Sequence, residues 1–126
     1  MRRAAQRNPN MPQERLLQLT GDEDTYVRNG VVANPACPLF ILQGLASNPD
    51  PSTRSLVLIH PKCPRDILEQ LQDDPSPQVR RRLAQYAGIT RALVAHLLRD
   101  PDPTVRISAA RHPKCSPEYR ELHQVL

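Results

Sequence analysis

The sequence predicts an all-α chain, an array of five short two-helix units without β-sheet. Two features carry that expectation, the first of which is a period. Pro9, Pro35, Pro61 and Pro113 share one phase of a 26-residue repeat, and Pro12, Pro38 and Pro64 share a second, with Pro117 one residue late. Pro49, Pro75 and Pro101 form a third phase and Pro51, Pro77 and Pro103 a fourth, which accounts for all 14 prolines. Arg2, Arg28, Arg54, Arg80 and Arg106 keep the period without a gap, and Leu19, Leu45, Leu71 and Leu97 keep it until His123. Self-similarity at such a spacing is the signature of stacked repeats. The second feature is composition. One Phe, three Tyr and no Trp in 126 residues supply few bulky side chains for a single compact core, while 39% hydrophobic residues are too many for a disordered chain. The repeats divide one solenoid domain, 1–126, into copies 1–24, 25–50, 51–76, 77–102 and 103–126.

Each copy begins with a helix whose start is written in the sequence. Asp24, Asp50, Ser76 and Asp102 recur as N-cap residues, and three of them precede a proline suited to the first helical position. The first helices therefore start near residues 25, 51, 77 and 103. They stop before Asn34-Pro35, His60-Pro61 and His112-Pro113, because a residue ahead of proline is pushed out of the α region, and the fourth copy stops at Tyr86-Ala87-Gly88. Their apolar stripes are Val27/Val31, Thr53/Val57, Val79/Leu83 and Val105/Ala109. A second helix begins at Pro12, Pro38 and Pro64, with stripes Ile41/Leu42/Leu45, Ile67/Leu68/Leu71 and, in the fourth copy, Leu93/Val94/Leu97. Leu45, Leu71 and Leu97 are expected to be buried. Neither helix buries its stripe alone, whereas stacked copies do.

The stretches Asn34-Pro35-Ala36-Cys37-Pro38, Asp100-Pro101-Asp102-Pro103 and Val105-Arg106 resemble the repeat signature of the leucine-rich repeat variant family. The resemblance covers the whole chain. It implies a right-handed superhelical solenoid of alternating short α- and 3₁₀-helices in two layers, and the first helix of each copy, held between two prolines, is then expected to be the 3₁₀ one. One member of the family carries an iron–sulfur cluster on a separate cysteine-rich N-terminal segment. The first cysteine here is Cys37, so the resemblance carries no cluster over and no cofactor is expected.

His60-Pro61-Lys62-Cys63 and His112-Pro113-Lys114-Cys115 have the look of zinc half-sites. The period argues otherwise. Cys37, Cys63 and Cys115 share one phase with Met11 and Ile89, so neighbours should lie about 10 Å apart if the copies pack like helices. Zinc ligands sit about 2.0 to 2.3 Å from the metal and disulfide-linked Cα atoms about 4.4 to 6.8 Å apart, so these cysteines are expected to form neither within one chain. They read as small, partly buried residues at the start of the second helix, although a thiol at a helix N-terminus also has a route to a lowered pKa. Three unpaired thiols fit a reducing compartment. His60 and His112 replace the Asn of the Asn-Pro turn and are expected to bond nearby backbone, while His96 and His123 stand isolated on helices. No catalytic ordering of Ser, His and Asp, no paired carboxylates and no glycine-rich phosphate loop is present, so no enzymatic activity is expected.

A net charge of +4 invites an anionic partner, and stacking would set Arg2, Arg28, Arg54, Arg80 and Arg106 in a row at about 10 Å intervals. Asp22/Asp24, Asp50, Asp73/Asp74 and Asp100/Asp102 lie just upstream in the copies, so one reading is a structural ladder in which an Asp row neutralises the Arg row. The other is a basic binding surface, extended by Arg81, Arg82, Arg91 and Arg99 and, at the N-terminus, by Arg3 and Arg7. Aromatics are too sparse to stack bases, so nucleic acid would be met only at its phosphates. The favoured function is a binding scaffold for an unidentified protein partner, the alternative nucleic-acid backbone binding through the arginine rows. Met1, Ala5, Leu16 and Leu19 offer an N-terminal face for self-association. No apolar leader follows Met1 and no membrane-length apolar stretch occurs, which points to the cytoplasm and to no membrane partner.

Overall fold

The computed structural model describes residue 8 and residues 10–122. Among these residues every regular element is helical and none is a strand. The chain divides into two compact units, Met1–Cys63 and Pro64–Leu126, the division falling at the turn between the two helices of the third copy.

Unit 1 contains α1 (Gln13–Leu19), α2 (Thr25–Ala33), α3 (Leu39–Ala46), α4 (Pro51–Ser55) and a 3₁₀ segment, Leu56–Ile59, that continues α4. Helix α2 packs on α1 and on the 3₁₀ segment, and α3 packs on α4. Leu16, Leu19, Val27, Val31, Leu42, Ala46 and Val57 form the dry interior. Leu16 and Leu19, expected on a self-association face, are thus already covered; Met1 and Ala5 lie outside the described residues. Unit 2 contains α5 (Arg65–Leu71), α6 (Pro77–Ala84), α7 (Arg91–Leu97), α8 (Pro103–Ala110) and α9 (Pro117–Leu122). Helix α6 packs chiefly on α8, and α5 and α7 pack on α6. Its interior is Leu71, Val79, Leu83, Ile89, Leu97, Val105 and Ala109. Burying a side chain of this size contributes about 1.5 to 3 kcal/mol, so short helices too weak to stand alone are held by their neighbours.

The helix starts fall where the proline phases put them, with four differences in detail. First, α2, α6 and α8 are α-helical throughout, and the only 3₁₀ segment among the described residues is Leu56–Ile59. The flanking prolines act at the ends: proline at the first helical position removes no i to i−4 bond, and the interior keeps its α ladder. Tightening into 3₁₀ is confined to a last turn, where it is common. Second, α1, α3 and α5 begin one residue after Pro12, Pro38 and Pro64, which hold the extended N-cap conformation and bring no side-chain cap. Third, Asp24, Asp50 and Asp102 accept from the N–H of Tyr26, Ser52 and Thr104, but Ser76 makes no side-chain cap bond. Fourth, Leu45 is only half-buried, unlike Leu71 and Leu97. Helix α3 runs one residue longer than α5 and α7 and buries Ile41, Leu42 and Ala46, so its inward stripe is turned past Leu45.

Candidate binding surface

A turn of one build precedes each first helix. Asp22, Asn48, Asp74 and Asp100 each accept a backbone N–H two residues on, from Asp24, Asp50, Ser76 and Asp102, at 2.8 to 2.9 Å. This Asx turn sets the N-cap residue in extended conformation, ready to start the helix. The arginine ladder then closes the turn from the helix side. Nη1 of Arg28 donates to the carbonyls of Asp22 and Glu23 at 2.6 and 3.2 Å, and Arg54 does the same to Asn48 and Pro49 at 3.0 and 2.9 Å. Arg106 repeats the pattern on Asp100 and Pro101 at 2.7 and 3.1 Å. Arg80 donates from Nη1 to the Asp74 carbonyl at 2.6 Å and also grips the Asp100 carboxylate, Nε to Oδ2 at 2.7 Å and Nη2 to Oδ1 at 3.3 Å. Sequence reading anticipated an arginine ladder balanced by aspartates. Arg80–Asp100 is such a pair and joins one turn to the next, and in all four copies the guanidinium also donates to backbone carbonyls of its own turn. Each of the four arginines is half-buried. Arg2 lies outside the described residues, as do Arg3 and Arg7.

A second column runs through the proline turns. Asn34 accepts from the N–H of Ala36 at 2.8 Å and donates through Nδ2 to the Asn8 carbonyl at 2.9 Å, 26 residues back. His112 does both tasks with a ring: Nδ1 accepts from Lys114 N–H at 3.0 Å and Nε2 meets the Tyr86 carbonyl at 2.8 Å, again 26 residues back. His60 accepts from Lys62 N–H at 3.0 Å. Burial lowers its pKa, a backbone hydrogen bond with Asn34 opposing the shift. Imidazole and carboxamide are interchangeable here because each presents an acceptor and a donor on opposite sides. Both histidines are therefore fitted into the turns, as expected. His96 is not isolated: Nε2 lies 3.1 Å from Oδ1 of Asp73 on the surface of unit 2. His123 lies outside the described residues.

Cys37, Cys63 and Cys115 are buried thiols, none of them in a disulfide. Burial pushes the Cys37 thiol up to about 11, against the direction that a helix N-terminus would give and far from the range of a reactive thiolate. Among the described residues no three His, Cys, Asp or Glu side chains converge on a point that a metal ion would occupy.

Each first helix presents one outward stripe, at i, i+3, i+4 and i+7, while the second helices expose Leu17 on α1 and Leu39 and Phe40 on α3. On α2 it is Tyr26, Asn29, Gly30 and Ala33, which with Pro35 and Ile59 line a shallow groove of about 380 Å³. No charged side chain lines it. Oδ1 of Asn29 is buried there and has no hydrogen-bond partner among the described residues. In unit 2 the same stripe is Gln78, Arg81, Arg82 and Gln85 on α6 and Thr104, Ile107, Ser108 and Arg111 on α8. A second groove of about 360 Å³ opens beside Ser76, Pro77, Gln78, Arg81, Asp102 and Thr104. Thr104 holds the Asp102 carboxyl below its ordinary value by hydrogen bonding to it. Arg91 and Arg99 are exposed at the two ends of α7. Of the nine candidate arginines, the eight described are of two kinds: Arg28, Arg54, Arg80 and Arg106 are engaged in turns, whereas Arg82, Arg91 and Arg99 are exposed and Arg81, half-buried, lines the α6 groove. Sequence reading grouped them together and missed the stripe, whose positions vary in character from copy to copy while the inward phases stay largely apolar.

Comparison with known protein families, with curated proteins and with solved structures finds no match. No described helix is long and apolar enough to cross a membrane.

Proposed function

We propose that the chain is a non-enzymatic binding scaffold, a helical solenoid of the leucine-rich repeat variant type, whose outward first-helix stripes receive a protein partner. The observation that carries this reading is the groove on α2. It is uncharged, it exposes the ring of Tyr26 beside Pro35 and Ile59, and it contains a buried acceptor, Asn29 Oδ1, with no donor. A buried, unsatisfied carboxamide oxygen is costly, and a polypeptide brings both the N–H that would satisfy it and the apolar side chains that would fill the groove. Phosphate brings neither. The alternative, nucleic-acid binding through stacked arginine rows, asks for free guanidinium groups at the repeat spacing. Arg28, Arg54, Arg80 and Arg106 instead direct Nη1 at carbonyls of their own turns, which favours the structural role for that row. A cytoplasmic setting agrees with three buried thiols.

The test is a photo-crosslinking residue in place of Tyr26, with the full chain irradiated in extract of its native host. Adducts that resist nuclease and are removed by protease support the reading. Nuclease-sensitive adducts would replace it with the alternative.

A further inference from the structure

Unit 2 differs from unit 1 in one respect that bears on the partner. Its outward stripes carry three arginines, Arg81 and Arg82 on α6 and Arg111 at the end of α8, and no acidic residue. Their guanidinium groups make no hydrogen bond or ion pair with any described residue. The two helices lie side by side in register. At their N-terminal ends Gln78 and Thr104 line one groove, and at their C-terminal ends His112 meets the Tyr86 carbonyl. Residues 26 apart are therefore neighbours, which puts Ile107 alongside Arg81. Ile107 is 50% exposed. A cation opposite the helix C-terminal dipole would account for Arg81 and Arg82 in the last turn of α6, but not for a half-exposed aliphatic side chain set among them and Arg111.

Resting on the protein-binding reading above, we propose that the α6–α8 ridge binds an acidic polypeptide segment in which Glu or Asp residues flank an aliphatic one. The acidic side chains meet Arg81, Arg82 and Arg111, and the aliphatic side chain covers Ile107. Charge complementarity selects the sign of the partner, and burial of Ile107 selects a peptide over a phosphate backbone, which has no apolar group to offer there. At the N-terminal end of the ridge Asp100 is held by Arg80 and Asp102 is tied to Thr104, so the acidic residues of the segment belong toward Arg82 and Arg111.

Fluorescence anisotropy of the full chain with a fluorescein-labelled peptide of repeated Glu-Glu-Leu triplets tests this at about 150 mM salt, where exposed charges are screened beyond about 8 Å. Matched probes carry Lys for Glu, carry Ser for Leu, or are a DNA duplex of similar length. The Glu-Leu peptide is expected to bind, and the Lys and Ser peptides to bind at least about tenfold more weakly, a factor that one lost charged hydrogen bond would supply. R81Q/R82Q and Ile107→Ser, each checked for unchanged helical circular dichroism, are expected to lose a similar factor. Failure of the Glu-Leu peptide to bind, or binding that neither variant weakens, overturns the ridge assignment; the Tyr26 crosslinking then still decides the protein-binding reading by itself. Tighter binding of the duplex than of the peptide, lost in R81Q/R82Q, overturns both.

Discussion

Arg80 is the side chain whose loss the structure makes most informative. It joins two turns through three donors, and the carboxylate it holds has a side chain only 4% exposed, against 13% for Arg80 itself. In Arg80→Gln the Asp100 carboxylate keeps the N–H of Asp102 at 2.9 Å but loses its countercharge, and the Asp74 carbonyl loses a donor that stood at 2.6 Å. Removing one partner of a buried ion pair costs about 3 to 5 kcal/mol, and the residual exposure of Arg80 places the expected cost near the lower end, about 3 kcal/mol. That is a large part of the roughly 5 to 15 kcal/mol that holds a domain folded. Urea unfolding followed by circular dichroism reads it directly. The double variant Arg80→Gln/Asp100→Asn should cost less than Arg80→Gln alone, because no buried charge is left uncompensated. Arg82→Gln, on the exposed stripe, should stay within about 0.5 kcal/mol. If Arg80→Gln were as harmless as Arg82→Gln, the ladder would not be structural and the arginine row would be free to bind phosphate.

Three further outcomes are expected. Leu71→Ala, at a fully buried position, should cost about 2 to 5 kcal/mol in urea unfolding and Leu45→Ala, at a half-buried one, clearly less; equal costs would mean that the stripe of α3 is misread. Because burial lowers the pKa of His60 in the folded protein, its contribution to stability is present above about pH 6.5, the unfolded value, and is lost as pH falls through the lower folded value. His60→Asn, which installs the residue that serves at Asn34, should remove that part of the acid sensitivity, checked by Tm between about pH 7 and 5, and an unchanged pH dependence would contradict it. With its thiol pushed up to about 11, Cys37 should resist a thiol reagent at neutral pH until the protein unfolds; rapid labelling of Cys37 in a Cys63→Ser/Cys115→Ser background would refute its burial.

Much of the local structure was legible in the chain because its determinants are local. An Asp or Ser immediately ahead of a helix and, in α4, α6 and α8, a proline at its first position act on their own backbone, so the starts of α2, α4, α6 and α8 follow from Asp24, Asp50, Ser76 and Asp102 wherever the helices later pack. The apolar stripes of Val27/Val31, Val79/Leu83 and Leu93/Val94/Leu97 were legible for the same reason: their period is that of the helix. The tertiary structure decided what depends on a neighbour. Leu45 is half-buried although its phase matches Leu71, because the turn of α3 relative to the helix it meets, and not the period, determines which side chain points inward. Arg80 and Arg81 are adjacent and chemically identical, yet one is engaged with two turns and the other lines the outward groove of α6, a difference of about 100° around the helix that only the direction of the core resolves. The same geometry separates the arginines engaged in turns from those on the outward stripe, and a sequence that writes both as Arg carries no mark to tell them apart.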